Sequence, residues 1–367
     1  MQKGWTHKLL GYAGYGILFV VFISVVICAE VLNRKHRATQ PIQSLKVTIT
    51  EGASSPLADK ESIERWIRDA ELLKPNTTLE NVDLAAIEHR AAEHNAVAKA
   101  NAYVDYEGNA MLDVVLREPI ARLRADGYDL YITEDGFLLP TVADRTAAVP
   151  VITGTYRPLF RPGYSGYAKS VVADSIAVLD KLIKSLEDDK LPIYRQLDDN
   201  DKVLREALSE SVRKGIFMSD SEYKVLLGDL ESRKVVARER HTATKRKLEA
   251  QIEALAMEQD VARQKQSSVR AAGEDFDALL GFLKHVDNNK FWSAEVVQIM
   301  LAGGNGKRME LRFVPRSGTF VVDLGAPSGY DTKLSNLYRF YTKGLDNVGW
   351  NKYSSISLRY SGQVVCR

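Results

Sequence analysis

Residues 355–366 read Ser-Ile-Ser-Leu-Arg-Tyr-Ser-Gly-Gln-Val-Val-Cys and decide how the chain ends. Apolar β-branched and aromatic residues favour extended backbone, and the Ser361-Gly362 pair interrupts them with turn chemistry. This pattern predicts two strands, Ser355–Arg359 and Gln363–Cys366, which we call the terminal hairpin. A sheet that ends on such a strand presents unpaired N–H and C=O groups that another strand can bind.

Upstream of this stretch, residues 291–344 show the same kind of pattern. Runs rich in β-formers predict strands at Val296–Leu301, Met309–Val314 and Thr319–Leu324. A helix with Leu334, Leu337, Tyr338 and Tyr341 on one side follows them. Residues 120–154 add short β runs separated by Asp-Gly turns. Residues 120–187 and 274–367 therefore predict one mixed β-sheet domain in an α+β chain.

Residues 44–119 predict a separate small domain with the order β-α-α-β-β. Leu45, Val47 and Ile49 alternate with polar residues, as in a half-buried strand. Two short amphipathic helices follow, and residues 97–106 and 110–116 then form two β runs joined by a turn that contains Gly108.

The region from residue 188 to 273 is charged and helical in pattern, and it interrupts the β-sheet domain. Leu248, Ile252 and Leu255 have helical spacing, but over fewer than two heptads, which is too short to establish a coiled coil. A basic run lies between residues 233 and 247. It has two interpretations, a solvated helix face or a surface for anionic lipid or another acidic partner.

The N-terminal stretch predicts a membrane anchor. Residues 9–26 contain no charged side chain, and the apolar character continues to residue 32, broken only by Glu30. Spanning a bilayer takes about 20 apolar residues. We therefore expect a cytoplasmic tail at 1–8, a transmembrane helix at 9–32 in contact with membrane lipid, and a linker at 33–43.

No pattern of catalytic or metal-binding residues is convincing. His89 and His94 are five residues apart, so they do not share a helix face as zinc ligands would. The glycines at 303–306 lack the spacing of a phosphate loop. The two cysteines, Cys28 and Cys366, form no metal motif. A formal net charge of +2 does not favour nucleic acid. We predict a protein that is not an enzyme and has no cofactor and no metal.

An ordered set of features resembles the bacterial division protein family FtsQ/DivIB. The set comprises the N-terminal helix, a module that looks like the family's POTRA domain, and a β domain. It also includes Arg117-Glu-Pro119 at the junction, Asp135-Gly136, Phe291-Trp292, and the closing segments 334–345, 349–353 and 356–365. The resemblance covers roughly residues 1–187 and 274–367, and the segment 188–273 departs from it.

The resemblance implies a non-enzymatic scaffold of the division machinery, or divisome, with a cytoplasmic N-terminus and its bulk outside the cytoplasmic (inner) membrane at the septum. It implies FtsB- and FtsL-type bitopic partners, alongside the septal peptidoglycan synthase FtsW with FtsI. In the family the last strands recruit FtsB by strand addition. The matching residues here are Arg359, Tyr360, Ser361, Gly362 and Val364. The same residues could instead only fill a core or turn a hairpin. A POTRA-bearing envelope transport or assembly factor and an envelope enzyme remain alternatives.

Overall fold

The computed structural model describes residues 20–32, 40–50, 57–74, 77–142, 146–156, 158–304, 307–345, 349–350, 352–360 and 362–367. They divide into two compact units. The first is drawn from residues 1–123, 128–151 and 163–166, and the second from residues 124–127, 152–162 and 167–367. The chain contains helices and a mixed sheet, and its helices and strands do not follow each other in a regular β-α order, which confirms the α+β class.

The predicted transmembrane helix is contradicted. Helix α1 is described over residues 20–32. In the part of the chain that the structure describes, no helix is both long and apolar enough to cross a membrane. Residues 9–19 of the predicted span, the tail 1–8 and most of the predicted linker lie outside the described residues. The single-pass topology and the contact with lipid depended on that helix.

The first unit opens with β1 (Leu45–Ile49), α2 (Lys60–Arg68), α3 (Leu84–Ala92), β2 (Val97–Val104) and β3 (Ala110–Leu116), which is the predicted element order. The three strands form a sheet in the order β1-β3-β2, with β1 parallel and β2 antiparallel to β3.

Side-chain caps determine where the two helices of this unit begin, and packing against the sheet stabilises them. The Asp59 carboxylate accepts a hydrogen bond from the Ser62 N–H at 2.8 Å, and Asp83 caps α3 in the same way. Ile63, Ile67 and Ile87 on the inner faces of the helices are almost fully buried, in one cluster with residues of the sheet. Burying such a side chain stabilises the fold by about 1.5–3 kcal/mol.

Three further strands follow: β4 (Pro119–Ala125), β5 (Tyr128–Thr133) and β6 (Phe137–Pro140). Strands β5 and β6 pair antiparallel. The Arg117 guanidinium lies 3.6 Å from the ring centroid of Phe137, and its Nη1 lies 3.0 Å from a carboxylate oxygen of Asp135. The Arg-Glu-Pro and Asp-Gly segments singled out in the sequence therefore meet in space.

The second unit contains most of the other elements. These are β7 (Val151–Gly154), β8 (Gly166–Tyr167), α4 (Ala168–Ser209), α5 (Asp220–Asp287), α6 (Lys290–Glu295), β9 (Val296–Gly304), β10 (Lys307–Pro315), β11 (Val321–Gly325), α7 (Tyr330–Phe340), a π-helical turn (Tyr341–Leu345), β12 (Ser355–Ser357) and β13 (Val365–Cys366). The strand order is β7-β9-β10-β11-β12-β13. Strand β12 is parallel to β11, and β13 is antiparallel to β12. Buried aromatic rings of Phe282, Phe313, Phe320 and Tyr341 form much of the core.

Helices α4 and α5 form an antiparallel pair, which we call the helical hairpin. Cross-contacts run in reverse order along the two helices: Asp180 with Gln266, Lys190 with Gln259, and Asp201 with His241. On α4 the seam positions recur at alternating steps of three and four residues, as in a coiled coil. They are Val172, Ile176, Leu179, Ile183, Leu186, Lys190, Ile193, Leu197, Asn200 and Leu204, all buried or half-buried.

Candidate functional site

The terminal hairpin borders a groove of about 540 Å³ in the second unit. Three elements form it: the end of β11, the N-terminal turn of α7, and the segment that joins β12 to β13. Its lining includes Gly325, Gly329, Lys333, Arg359, Tyr360 and Gly362. Three of the five residues that the sequence singled out are therefore brought together at one opening.

The two strands of the terminal hairpin are shorter than predicted. Strand β12 covers Ser355–Ser357 and β13 only Val365–Cys366. After β12, the Leu358 N–H donates to the Asp323 carbonyl of β11 at 2.7 Å. A tight turn then takes up residues that a longer hairpin would have paired. The edge of the sheet is thus a two-residue strand, tied down at its end because the Ser354 N–H donates to the Arg367 carbonyl at 2.8 Å.

Gly362 is required by the turn and not by close packing. The Gln363 N–H donates to the Tyr360 carbonyl at 3.3 Å, which closes a four-residue turn. Gly362 has φ of +73°, and no atom lies within 4 Å of the point that a Cβ would occupy at this residue. Glycine adopts this left-handed conformation without the steric cost that a side chain brings. Gly362 therefore has the positive φ that this turn requires.

Arg359 ties the terminal hairpin to the neighbouring strands. Its Nε donates to the Asp323 carboxylate on β11 at 2.6 Å, and its two Nη groups donate to the Glu310 carboxylate on β10 at 2.9 and 2.5 Å. These bonds raise the pKa of the guanidinium, and they lower the pKa of Glu310. The guanidinium is therefore engaged by two carboxylates of its own chain.

Lys333 anchors the first turn of α7 at the opposite wall of the groove. Its Nζ donates to the carbonyls of Leu324 and Ala326 at 2.8 and 2.9 Å, where β11 ends. Partial burial lowers the pKa of this lysine. Gly329 precedes α7 with φ of +64° and has no side chain that could cap the helix. Polar backbone groups at this end of α7 therefore face the groove.

The remaining predicted residues differ in their surroundings. Tyr360 is 64% exposed, in a lining that mixes polar side chains with glycines and apolar side chains. Val364 is half-buried just before β13, and Ser361 lies outside the described residues. Trp350 is half-buried, and its ring centroid lies 5.1 Å from that of buried Tyr341, which places it in the aromatic core.

Glu310, Asp323 and Lys333 are the parts of this site that the sequence reasoning missed. Each has a local signal: the two acids sit at positions of β10 and β11 where apolar residues flank them, and Lys333 lies in the first helical turn, where basic residues are unfavourable. This sequence signal shows that the three charged side chains face outward. It does not show which groups they contact, because those groups come from other strands.

The terminal hairpin and its groove lie in the part of the chain that matches a known protein family. Residues 252–367 match the family model described as FtsQ/DivIB, C-terminal related. The match includes the sheet from β9 onward, α7 and the whole groove, and it begins inside α5. No curated protein matches the chain.

The fold and the groove define a domain that presents a short sheet edge. The family match supports FtsQ/DivIB as the family that the chain resembles, which confirms the resemblance drawn from its closing segments. FtsQ/DivIB is a non-enzymatic division protein family that acts in the divisome, and the match over residues 252–367 points to a role in cell division for this part of the chain.

Proposed function

We propose that the protein is a divisome scaffold that links early and late division proteins, and that it recruits FtsB- and FtsL-type partners by strand addition at the terminal hairpin. The observation that carries this proposal is the short edge strand β13 beside a groove that contains the exposed ring of Tyr360. We also propose the septal synthase FtsW with FtsI as a further partner, reached through the same assembly.

Three physical features support strand addition at this place. Strand β13 ends the sheet order, so its outer side offers backbone groups to an incoming strand. The ion pairs of Arg359 and the positive-φ turn at Gly362 hold the hairpin in one conformation. A pre-organised edge binds more tightly because less conformational freedom is lost on binding.

The groove supports the choice of contact residues. Tyr360 combines a large apolar ring with a hydroxyl group, and such residues are frequent energetic centres of interfaces. Val364 lies on the approach to β13, where alternate side chains of a paired strand would meet a partner. We propose Arg359 and Gly362 as residues that hold the edge in shape, with Tyr360, Ser361 and Val364 as contacts.

The domain boundaries form part of the same proposal. We propose residues 44–119 as a POTRA-like domain, residues 120–187 with 274–367 as the β domain, and residues 188–273 as an insertion in it. The three-stranded sheet covered by α2 and α3 supports the first assignment. The helical hairpin supports the last, since its start and its end lie side by side: Lys169 Nζ on α4 lies 3.9 Å from a carboxylate oxygen of Asp277 on α5.

The test is co-purification with an FtsB-type partner. Tyr360→Glu should weaken partner binding by roughly 30-fold, the equivalent of about 2 kcal/mol for an aromatic anchor. The matched control is Tyr106→Glu, because Tyr106 is 99% exposed in the first unit and far along the chain from the hairpin. Both variants should unfold at the parent temperature, since exposed substitutions change stability by about 0.5 kcal/mol or less. Equal partner retention by the two variants would count against strand addition at this edge.

A further inference from the structure

Charge is strongly segregated along helix α5. Residues 233–247, the basic segment, carry seven basic side chains and one acidic side chain. The next 15 residues, 248–262, which we call the acidic segment, carry four acidic side chains and no basic one. Each segment is about 22 Å long, and the sign of the charge reverses between Lys247 and Leu248.

Helix α4 pairs with only part of the basic segment. In the part of the chain that the structure describes, the ion pairs of this segment are those of Arg233 with Asp229 and Glu210, His241 with Asp201, and Lys245 with Glu249. The other five basic side chains have no acidic group of the described chain within 4 Å: Lys234, Arg238, Arg240, Arg246 and Lys247. Glu253 and Glu258 of the acidic segment are also without a basic partner among the described residues.

The side of α5 that faces away from α4 is exposed along both segments. Steps of three or four residues trace this outer stripe through Val235, Glu239, Thr242, Arg246, Ala250, Glu253, Met257 and Val261, all of them exposed. Its two ends are apolar: Val235 is 48% exposed, Met257 60% and Val261 65%. Its middle contains small residues, Thr242 and Ala250, which allow a second helix to approach closely.

We propose that the helical hairpin is a homodimerisation surface, with α5 of a second copy lying antiparallel on the outer stripe. A two-fold axis near Leu248 would place each basic segment on the acidic segment of the other copy. Both charge contacts then form at once, as a two-fold interface requires. The same register sets Val235 opposite Val261 and Arg246 opposite Ala250, so the apolar ends meet and each arginine near the centre faces a small residue.

A second copy fits these observations better than an anionic polymer or a lipid surface. Those partners would match the basic segment but would be repelled by the acidic segment beside it. An antiparallel copy of α5 is complementary to both segments. The proposed dimer interface contains no residue of the terminal hairpin, so the groove stays accessible.

Charge-swap pairs test the proposal on the purified full chain. One variant combines Arg238→Glu, Arg246→Glu and Lys247→Glu, and the other combines Glu253→Lys, Glu258→Lys and Asp260→Lys. Mass is measured by sedimentation equilibrium in a nonionic detergent, which keeps the apolar N-terminal stretch from driving association. We expect the parent to be dimeric, with weaker association at high salt. Each variant alone should dissociate about 100-fold more readily, since the three substitutions in each copy remove or reverse the charge attraction between the segments.

The decisive arm is the equimolar mixture of the two variants. The first variant has no net charge in residues 233–247 and stays acidic in residues 248–262, whereas the second variant is basic in both segments. The mixture therefore pairs the acidic segment of the first variant with the basic segment of the second and should form a heterodimer. Restoration also shows that both variants are folded. The control is Lys181→Glu, Lys184→Glu and Arg195→Glu on the exposed side of α4, which should dimerise like the parent. A monomeric parent, or variants that dimerise like the parent, would overturn the proposal.

Cross-linking gives a second measurement that does not depend on charge. In a chain with Cys28 and Cys366 replaced by serine, Ala250→Cys lies about 6 Å along the helix axis from its counterpart, and a short bismaleimide should link the two copies. Ser267→Cys would lie about 57 Å from its counterpart and should not be linked. Equal cross-linking at both positions would contradict the antiparallel register.

Discussion

Removal of the Arg359 guanidinium is the sharpest test of how the terminal hairpin is held. Arg359→Gln keeps a polar side chain but loses the bonds to Asp323 and Glu310 at 2.5–2.9 Å. Hydrogen bonds to charged groups contribute about 1.5–3 kcal/mol when buried, and exposed ion pairs about 0.2–1 kcal/mol. The Arg359 side chain is 34% exposed, and those of Glu310 and Asp323 are 41% and 20% exposed. About 1 kcal/mol for each carboxylate is therefore reasonable after solvent screening, or about 2 kcal/mol in total.

Thermal unfolding followed by calorimetry measures this loss. For a unit of this size, about 2 kcal/mol corresponds to a fall of roughly 4–8 °C in Tm. Arg339→Gln is the matched control, since Arg339 is exposed on α7 and its side chain donates only to Asn336 among the described residues. The control should lie within about 0.5 kcal/mol of the parent. Partner binding should also weaken in Arg359→Gln, because the edge strand loses its support.

The pH dependence follows from the pKa of Glu310, which Arg359 lowers in the folded chain. The unfolded chain then binds a proton more readily than the folded one. The stabilisation is present above the unfolded pKa of Glu, about 4.3, and is lost as pH falls through the lower folded pKa. The difference between parent and Arg359→Gln should thus shrink in acid. A difference in Tm that is the same at pH 7 and pH 3, or no larger than that of Arg339→Gln, would refute this account.

Two further predictions concern groups away from the groove. Burial and, to a smaller extent, Arg90 lower the pKa of His94, so the first unit should lose stability as pH falls below about 6.5, where the unfolded chain takes up the proton first. His94→Gln should flatten this dependence in urea unfolding between pH 7.5 and 5.5, and an unchanged slope would disprove the cause. In the helical hairpin, Lys190 Nζ donates to Gln259 Oε1 at 2.6 Å between two buried side chains. Lys190→Leu should cost about 1–3 kcal/mol by removing the donor to Gln259 Oε1, and Lys190→Leu with Gln259→Leu should recover most of it; additive losses would contradict the pairing.

The long helices show how far the sequence pattern reaches. Residues 170–286 have a helical pattern, and the helices α4 and α5 confirm it. The coiled-coil seam escaped recognition because polar side chains occupy several of its positions, among them Lys190, Asn200 and Gln259. A seam that contains such groups is stable only when each finds a partner on the opposite helix. This pairing depends on both helices, so the sequence of either helix alone does not show it.

The N-terminal prediction failed for a different reason. Composition alone counts apolar residues and takes the run from residue 9 to 32 as one helix. The structure describes residues 20–32 of this run as helix. Apolar content therefore set the expectation, and among the described residues no helix is long and apolar enough to cross a membrane.

The sequence by itself determined the element order of residues 44–119, the α+β class, the family resemblance and the turn at Gly362, because each depends on residues that are neighbours along the chain. Only the tertiary structure decided what surrounds the edge strand. Arg359 meets Glu310 and Asp323 from two other strands, and Lys333 reaches carbonyls at the end of β11. These contacts join residues up to 49 positions apart, and strand register and helix packing alone bring them within hydrogen-bonding distance.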